Sequence, residues 1–327
     1  MIDFSLNDEQ RQMLDTVRRV TQDTIRPSAQ RWMDGTFPYP NMTALAEIGI
    51  LGMAVPEEYG GMGASVLDTV LVLEEIAKGC YVTGMAVLGE VGVQTRIIAT
   101  FAPESLKRHW LPKIVTGDCI LSICMTEPDV GTDLANMRTN AVIRNDRVVL
   151  NGQKMLISRA AEAQLFVVFT RIDGRPGNKG IGCVLVEQGT PGLAHSAKYH
   201  TMGGENLAEV RFENVELPLE NVLLREDSLR QLMSAFNTQR CLNPAICLGL
   251  AEASLEEAVV YLRERSAFGR PIGDFQGLRW KTVDMLTQIE AGEVPAGSPS
   301  AKCAAGTGLD TRTAPAGTPP RGLLPEL

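Results

Sequence analysis

The chain has 327 residues, long enough for two or three domains with a sizeable core. Hydrophobic residues make up 44% and charged residues 21%, the balance of an ordinary globular protein. The net charge of -8 and the lack of any Lys/Arg cluster argue against a nucleic-acid partner, because phosphate binding needs grouped cations.

Met1 to Gln10 carries Asp3, Asp8 and Glu9 and has neither the basic nor the apolar part of a secretory signal. No apolar run reaches the length of a membrane span. The seven cysteines (80, 119, 124, 183, 241, 247 and 303) form no CxxC pair and are odd in number, which fits a reduced, cytoplasmic protein without structural zinc. The three histidines (109, 195 and 200) are unclustered, so neither a metal site nor a Ser-His pair is indicated. No G-x-G-x-x-G follows a strand pattern, so a Rossmann site is not indicated.

The first third reads as helical. Asn7 and Gln10 make a capping box, and Met13, Val17, Val20 and Thr24 then recur at helical spacing up to Pro27. A short helix is expected near 42–48, a loop at Pro56–Gly61, a broad apolar helix through Leu67, Val70, Leu71, Leu73 and Ile76, and further helices near 84–100 and 104–116. The middle changes period. Runs at 142–150, 163–172, 181–186 and 210–217 are short and apolar or alternating, with turn formers Asn145-Asp146, Asn151-Gly152 and Asp173-Gly174 between them, so a small β-sandwich or barrel is expected. Helical spacing returns from about Ser228 through Leu242, Ile246, Leu250 and Leu255 and breaks at Gly269-Arg-Pro271. A last helix opens near Asp274. Residues 292–327 hold six glycines and six prolines among 36 positions and are expected to be disordered. The fold class is therefore α+β: a helical domain at 1–118, a β domain at 119–223, an incomplete helical bundle at 224–291 and a tail at 292–327.

Four segments, in the family's order along the chain, carry a family resemblance. Met125 to Asp133 (M-T-E-P-D-V-G-T-D) resembles the T-E-P-x-x-G-S-D signature of acyl-CoA dehydrogenases. Asn151 to Ser158 (N-G-Q-K-M-L-I-S) is similar to their N-G-x-K-x-W-I-T segment. Arg265 to Gln276 is similar to their R-x-x-F-G-x-x-(I/L)-x-x-x-Q motif, and Pro56 to Gly61 also matches. The resemblance covers roughly residues 1–291.

The resemblance implies bound FAD, α,β-dehydrogenation of an acyl-CoA thioester with hydride transfer to flavin N5, electron transfer to an electron-transfer flavoprotein, and a homo-oligomer. By the same resemblance Ile123 to Thr132 runs along the isoalloxazine, with Met125 in that run. Thr126 donates to the flavin edge, Gly131 lets the backbone come close, and Thr132 also touches the thioester arm. Leu156, Ile157 and Ser158 cover the other ring face, with Ser158 near N5. Arg265, Phe268 and Gln276 serve the FAD of a neighbouring subunit, and Asn237 to Arg240, including Asn237 and Arg240, lies over the CoA. A flavin edge gains electron density on reduction, so hydroxyls and backbone N–H groups suit it chemically.

Three departures stand out. Leu156 replaces an aromatic, and Asn237 stands where many members have an acidic residue. No catalytic carboxylate is found: Gln239 occupies the position on the long helix that supplies the base in some members, and the more usual position lies beyond Ala291. The tail's onset in mid-helix reads as a shift of reading frame in a GC-rich gene, giving a truncated family member. Two rivals follow: an acyl-CoA oxidase or flavin-monooxygenase relative, and an inactive product lacking the base.

Overall fold

The computed structural model describes residues 6–225 and 228–304, without the side chains of 197, 198 and 293–304. The capping box forms as the sequence implies. Gln10 N donates to Asn7 Oδ1 at 2.8 Å and Asn7 N to Gln10 Oε1 at 3.1 Å, opening helix α1 (Asp8–Val20). A π turn (Thr21–Ile25) and α2 (Arg26–Ser28) carry the chain past Pro27. Helices α3 (Tyr39–Glu47) and α4 (Val66–Gly79) follow, the latter with a second capping box from Ser65 and Asp68.

The helix expected over 84–100 is two helices, α5 (Tyr81–Val91) and α6 (Val93–Phe101), broken at Gly92. A Cβ on Gly92 would meet the carbonyl oxygen of Leu88 and the side-chain oxygen of Gln239, so the close approach of a second helix fixes both the break and its residue. Helix α7 (Glu104–Thr116) completes the N-terminal block.

The middle block is one eight-stranded sheet. Its strands are β1 (Leu121–Cys124), β2 (Asn140–Arg144), β3 (Arg147–Ser158), β4 (Leu165–Ile172), β5 (Ile181–Glu187), β6 (Leu193–His200), β7 (Asn206–Pro218) and β8 (Val222–Leu224). The order is β6-β7-β3-β2-β4-β5-β8, with β1 also parallel to β4. Successive side chains of β4 and β5 face opposite ways, and both faces are buried. Leu165, Val167, Phe169 and Leu185 pack on Ile97, Trp110 and Leu111 of the helices. Phe166, Val168, Val184 and Val186 pack on Val148, Leu150, Val210 and Phe212 from the sheet's other end. The sheet thus curls over its own core. β1, β6 and β8 were not read from the sequence: two are very short, and none stands out by clean alternation.

Helix α8 (Leu229–Glu264) is 36 residues long and packs along α4. A hairpin of β9 (Ser266–Ala267) and β10 (Arg270–Pro271) follows, and then α9 (Gln276–Ala304). The described backbone of α9 runs as far as Ala304, and most of the tail expected to be disordered falls beyond it. Residues 305–327 lie outside the described residues.

Candidate active site

The T-E-P segment leaves β1 and the N-G-x-K segment runs down β3, and a buried ion pair knits them together. Lys154, fully buried, sends its Nζ to Glu127 Oε1 at 2.9 Å and to the Met125 carbonyl at 3.0 Å. Glu127 is 4% exposed and also accepts from the backbone N–H groups of Arg138 (2.6 Å) and Thr139 (2.9 Å). Burial alone would raise the Glu127 carboxyl. The Lys154 ammonium and the bonds from Thr139 and Arg138 outweigh it and hold the carboxyl below its ordinary value. Burial pulls Lys154 downward, with Glu127 opposing. Beside this pair Met155 N donates to the Thr126 carbonyl at 2.9 Å, and Ser122 Oγ donates to the Ser158 carbonyl at 2.8 Å.

Thr126 and Ser158 therefore stand on two segments bonded to each other. Their hydroxyls, and that of Thr132, have no hydrogen-bond partner among the described residues. A β-bulge between Lys154 and Ile157 turns the end of β3, and Leu156 takes a left-handed backbone (φ 57°) that leaves its side chain 45% exposed. Ile157 is buried beneath it. Ile123, Met125 and Thr126 are half-buried, while Gly131 and Thr132 are exposed, and a Cβ on Gly131 would meet nothing within 4 Å. The arrangement fits a flavin edge: free hydroxyls, an exposed aliphatic shelf and a glycine with open space above it.

Gln239 on α8 lies against the start of α6. Its Oε1 accepts from Val93 N at 3.2 Å, and its Nε2 donates to Asn243 Oδ1 at 3.1 Å. Asn237, exposed on the same helix, accepts from Arg240 at 2.8 Å.

Arg265, Phe268 and Gln276 are not brought to this corner within one chain. Arg240 and Arg265 are 25 residues apart on a helix rising ~1.5 Å per residue, so the hairpin stands on the order of 38 Å along α8. All three residues are exposed, Phe268 at 95%. The Arg270 guanidinium lies 4.3 Å over the Phe275 ring, which meets Phe268 edge-on at 6.1 Å between centroids.

Sequence reasoning missed the roles of Glu127 and Lys154, although both sit inside quoted motifs. The available signal was weak: one cation in a strand beside Gln153 and Met155, and one of three acidic residues in the segment Met125 to Asp133.

Three family descriptions match in order: the acyl-CoA dehydrogenase N-terminal domain over residues 7–118, the middle domain over 122–215 and the C-terminal domain over 229–308. The last match runs past Ala291, where the motif resemblance was drawn to end. An acyl-CoA dehydrogenase of Bacillus subtilis is 35% identical over 288 residues, covering 86% of this chain and 76% of that one. The mitochondrial isovaleryl-CoA dehydrogenase of Pongo abelii is 32% identical, covering 88% and 70%. Among solved structures, butyryl-CoA dehydrogenase from Megasphaera elsdenii superposes with a TM-score of 0.88 at 30% identity, covering 94% of this chain and 82% of that one. With the fold, the motif geometry and these matches in agreement, the chain belongs to the acyl-CoA dehydrogenase family, FAD-dependent oxidoreductases that act on acyl-CoA thioesters. Among the described residues no helix is long and apolar enough to cross a membrane.

Proposed function

We propose that this chain holds FAD along Ile123–Thr132 and Leu156–Ser158 and carries out α,β-dehydrogenation of an acyl-CoA thioester. The reading rests on the partnerless hydroxyls of Thr126 and Ser158, carried on two segments that the Met155 N to Thr126 O and Ser122 Oγ to Ser158 O bonds tie together. Bound FAD supplies the acceptor for the hydride that leaves the acyl β-carbon. Thr126 and Ser158 then donate to the flavin edge, Ser158 near N5, where negative charge develops. Leu156 covers one ring face, with Ile157 packed in the core beneath it. Thr132 reaches both flavin and thioester, and Asn237 and Arg240 contact the CoA portion. Arg265, Phe268 and Gln276, far from this corner and exposed, serve the FAD of a second copy of the chain. An electron-transfer flavoprotein takes the electrons.

Removal of the acyl α-proton needs a carboxylate, and Gln239 is not one. Its oxygen is committed to Val93 N, an observation that favours a second reading: a chain that binds flavin and thioester without a proton acceptor at this position. Titrating the FAD-loaded protein with acyl-CoAs without oxygen separates the two. Bleaching of the flavin band supports dehydrogenation. A yellow protein that binds acyl-CoA without bleaching selects the second reading, and a chain that retains no flavin refutes both. Oxygen consumption with acyl-CoA would identify an oxidase instead.

A further inference from the structure

A second buried ion pair sits behind the Thr126–Ser158 corner. Arg159 directly follows Ser158 and takes a left-handed backbone (φ 60°), as Leu156 does before it (φ 57°). Ile157 and Ser158 thus lie between two non-glycine residues in a conformation costing on the order of 1 kcal/mol each, which persists only where the surroundings impose it.

The imposing contacts come from α5 and the first turn of α6. Arg159 Nη1 donates to Glu90 Oε1 at 3.0 Å and to the Ala86 carbonyl at 3.2 Å. With its amide oriented to satisfy both ends, Gln94 accepts from Arg159 Nη2 at 2.9 Å and donates to the Gly89 carbonyl at 3.2 Å. Gly89 opens the passage, because any Cβ there would overlap the guanidinium. Glu90, 1% exposed, also accepts at Oε1 from Leu121 N at 3.2 Å. Leu121 opens β1, the strand that leads through Ile123 to Thr126. A single carboxylate oxygen therefore holds both the strand entering Thr126 and the corner leaving Ser158, while Ser122 Oγ to Ser158 O closes the ring.

We propose that Glu90 and Arg159 are positioning residues for the flavin edge: the pair sets the spacing and orientation of Thr126 and Ser158. This deepens the reading given under the proposed function and rests on it for the identity of the ligand. Lys154 and Glu127 tie the two segments at the Thr126 end, and Glu90 and Arg159 tie them at the Ser158 end. The charged and titratable groups facing the pair are few. Burial raises the Cys119 thiol, and Glu90 adds to the effect. Burial raises the Glu205 carboxyl, with Arg159 opposing. Burial pushes Glu90 itself up to about 7 against the pull of Arg159 and Leu121 N, and its Oε2 has no partner among the described residues. The clamp accordingly loosens as pH falls through neutrality and Glu90 takes up a proton.

The test uses Glu90→Gln, Arg159→Met and Arg159→Lys in the full chain, with two measurements. The first is amide hydrogen exchange of peptides spanning 155–163 without FAD, at a pH above the Glu90 transition. Arg159→Met and Glu90→Gln should exchange roughly tenfold or more faster there, the loss of a charge-assisted hydrogen bond, with Arg159→Lys close to the parent. The second is the visible spectrum of bound FAD against pH. The parent should titrate near neutrality, while Glu90→Gln should keep the acid-side spectrum throughout. Unchanged exchange at 155–163, or a Glu90→Gln spectrum that titrates like the parent's, overturns the proposal. A parent chain that takes up no FAD refutes the flavin reading alone, and the exchange data still decide whether the pair holds the corner.

Discussion

The side-chain oxygen of Gln239 accepts a hydrogen bond from the backbone N–H of Val93, so a residue of α8 caps the first turn of α6 across the helix interface. α6 has no side-chain cap of its own, and Gly92 leaves room for the approach. Three residues upstream, Glu90 reaches Arg159 and Leu121. The α5–α6 junction is thus where the flavin-edge corner and the Gln239 region meet.

Gln239→Glu should keep the cap, since a carboxylate oxygen also accepts from Val93 N, and should add a proton acceptor. The expected outcome is faster or newly detectable bleaching of bound FAD by acyl-CoA. Gln239→Ala should lose the cap and about 1 kcal/mol of stability in urea unfolding, without gaining activity. A Gln239→Glu chain no faster than the parent would count against this position as a site for the base.

Lys154→Met should destabilise the chain by roughly 3–5 kcal/mol, because it strands the Glu127 carboxylate in a buried site. Adding Glu127→Leu should recover part of the loss. Urea midpoints of the two single variants and the double variant give the coupling directly.

The Glu90 carboxyl has a folded-state value of about 7 against an ordinary 4.5. The folded chain therefore binds this proton more tightly than the unfolded chain does. The corresponding stability is fully present below about pH 4.5 and is lost as pH rises through about 7. Chemical denaturation across this window should show a declining contribution, absent in Glu90→Gln.

Leu156→Trp should be tolerated, because the side chain is half out of the fold on an exposed corner. With FAD alongside, the new indole should be quenched on flavin addition, by stacking that the aliphatic side chain cannot provide. Fluorescence titration of this variant with FAD, corrected for the three native tryptophans, reads the contact.

Phe268→Asp should leave the fold intact, since the ring touches little of its own chain besides Phe275. It should shift any oligomer toward smaller species in sedimentation and weaken FAD retention in parallel. A change in neither would remove the hairpin from the proposed second-copy contact.

The helical blocks were legible because Asn7 with Gln10, and the apolar spacing through Val70, Leu73 and Ile76, are local signals. The division at Gly92 was not, since its cause is a side chain 147 positions away in the sequence, on α8. Strands β3, β4, β5 and β7 showed as alternating or apolar runs, whereas four-residue β1 is defined by its parallel pairing with β4. The middle block was expected as a sandwich or barrel, and the single curled sheet lies within that expectation. For the site, Thr126 and Ser158 came from motif resemblance. Their support by Glu127, Lys154, Glu90 and Arg159 is tertiary, and no spacing rule reports which distant charges will meet.

The fully buried Lys154 has a consequence for folding fidelity. β3 is twelve residues long and pairs with β2 on one side and β7 on the other, so a slip of one residue would keep most of its ladder bonds. It would also reverse every side chain, carry the ammonium away from Glu127 and leave a carboxylate stranded in apolar surroundings. The pair therefore acts as a proofreading contact: it penalises near-native mispairings that backbone hydrogen bonding alone would tolerate, and it does so before any ligand arrives.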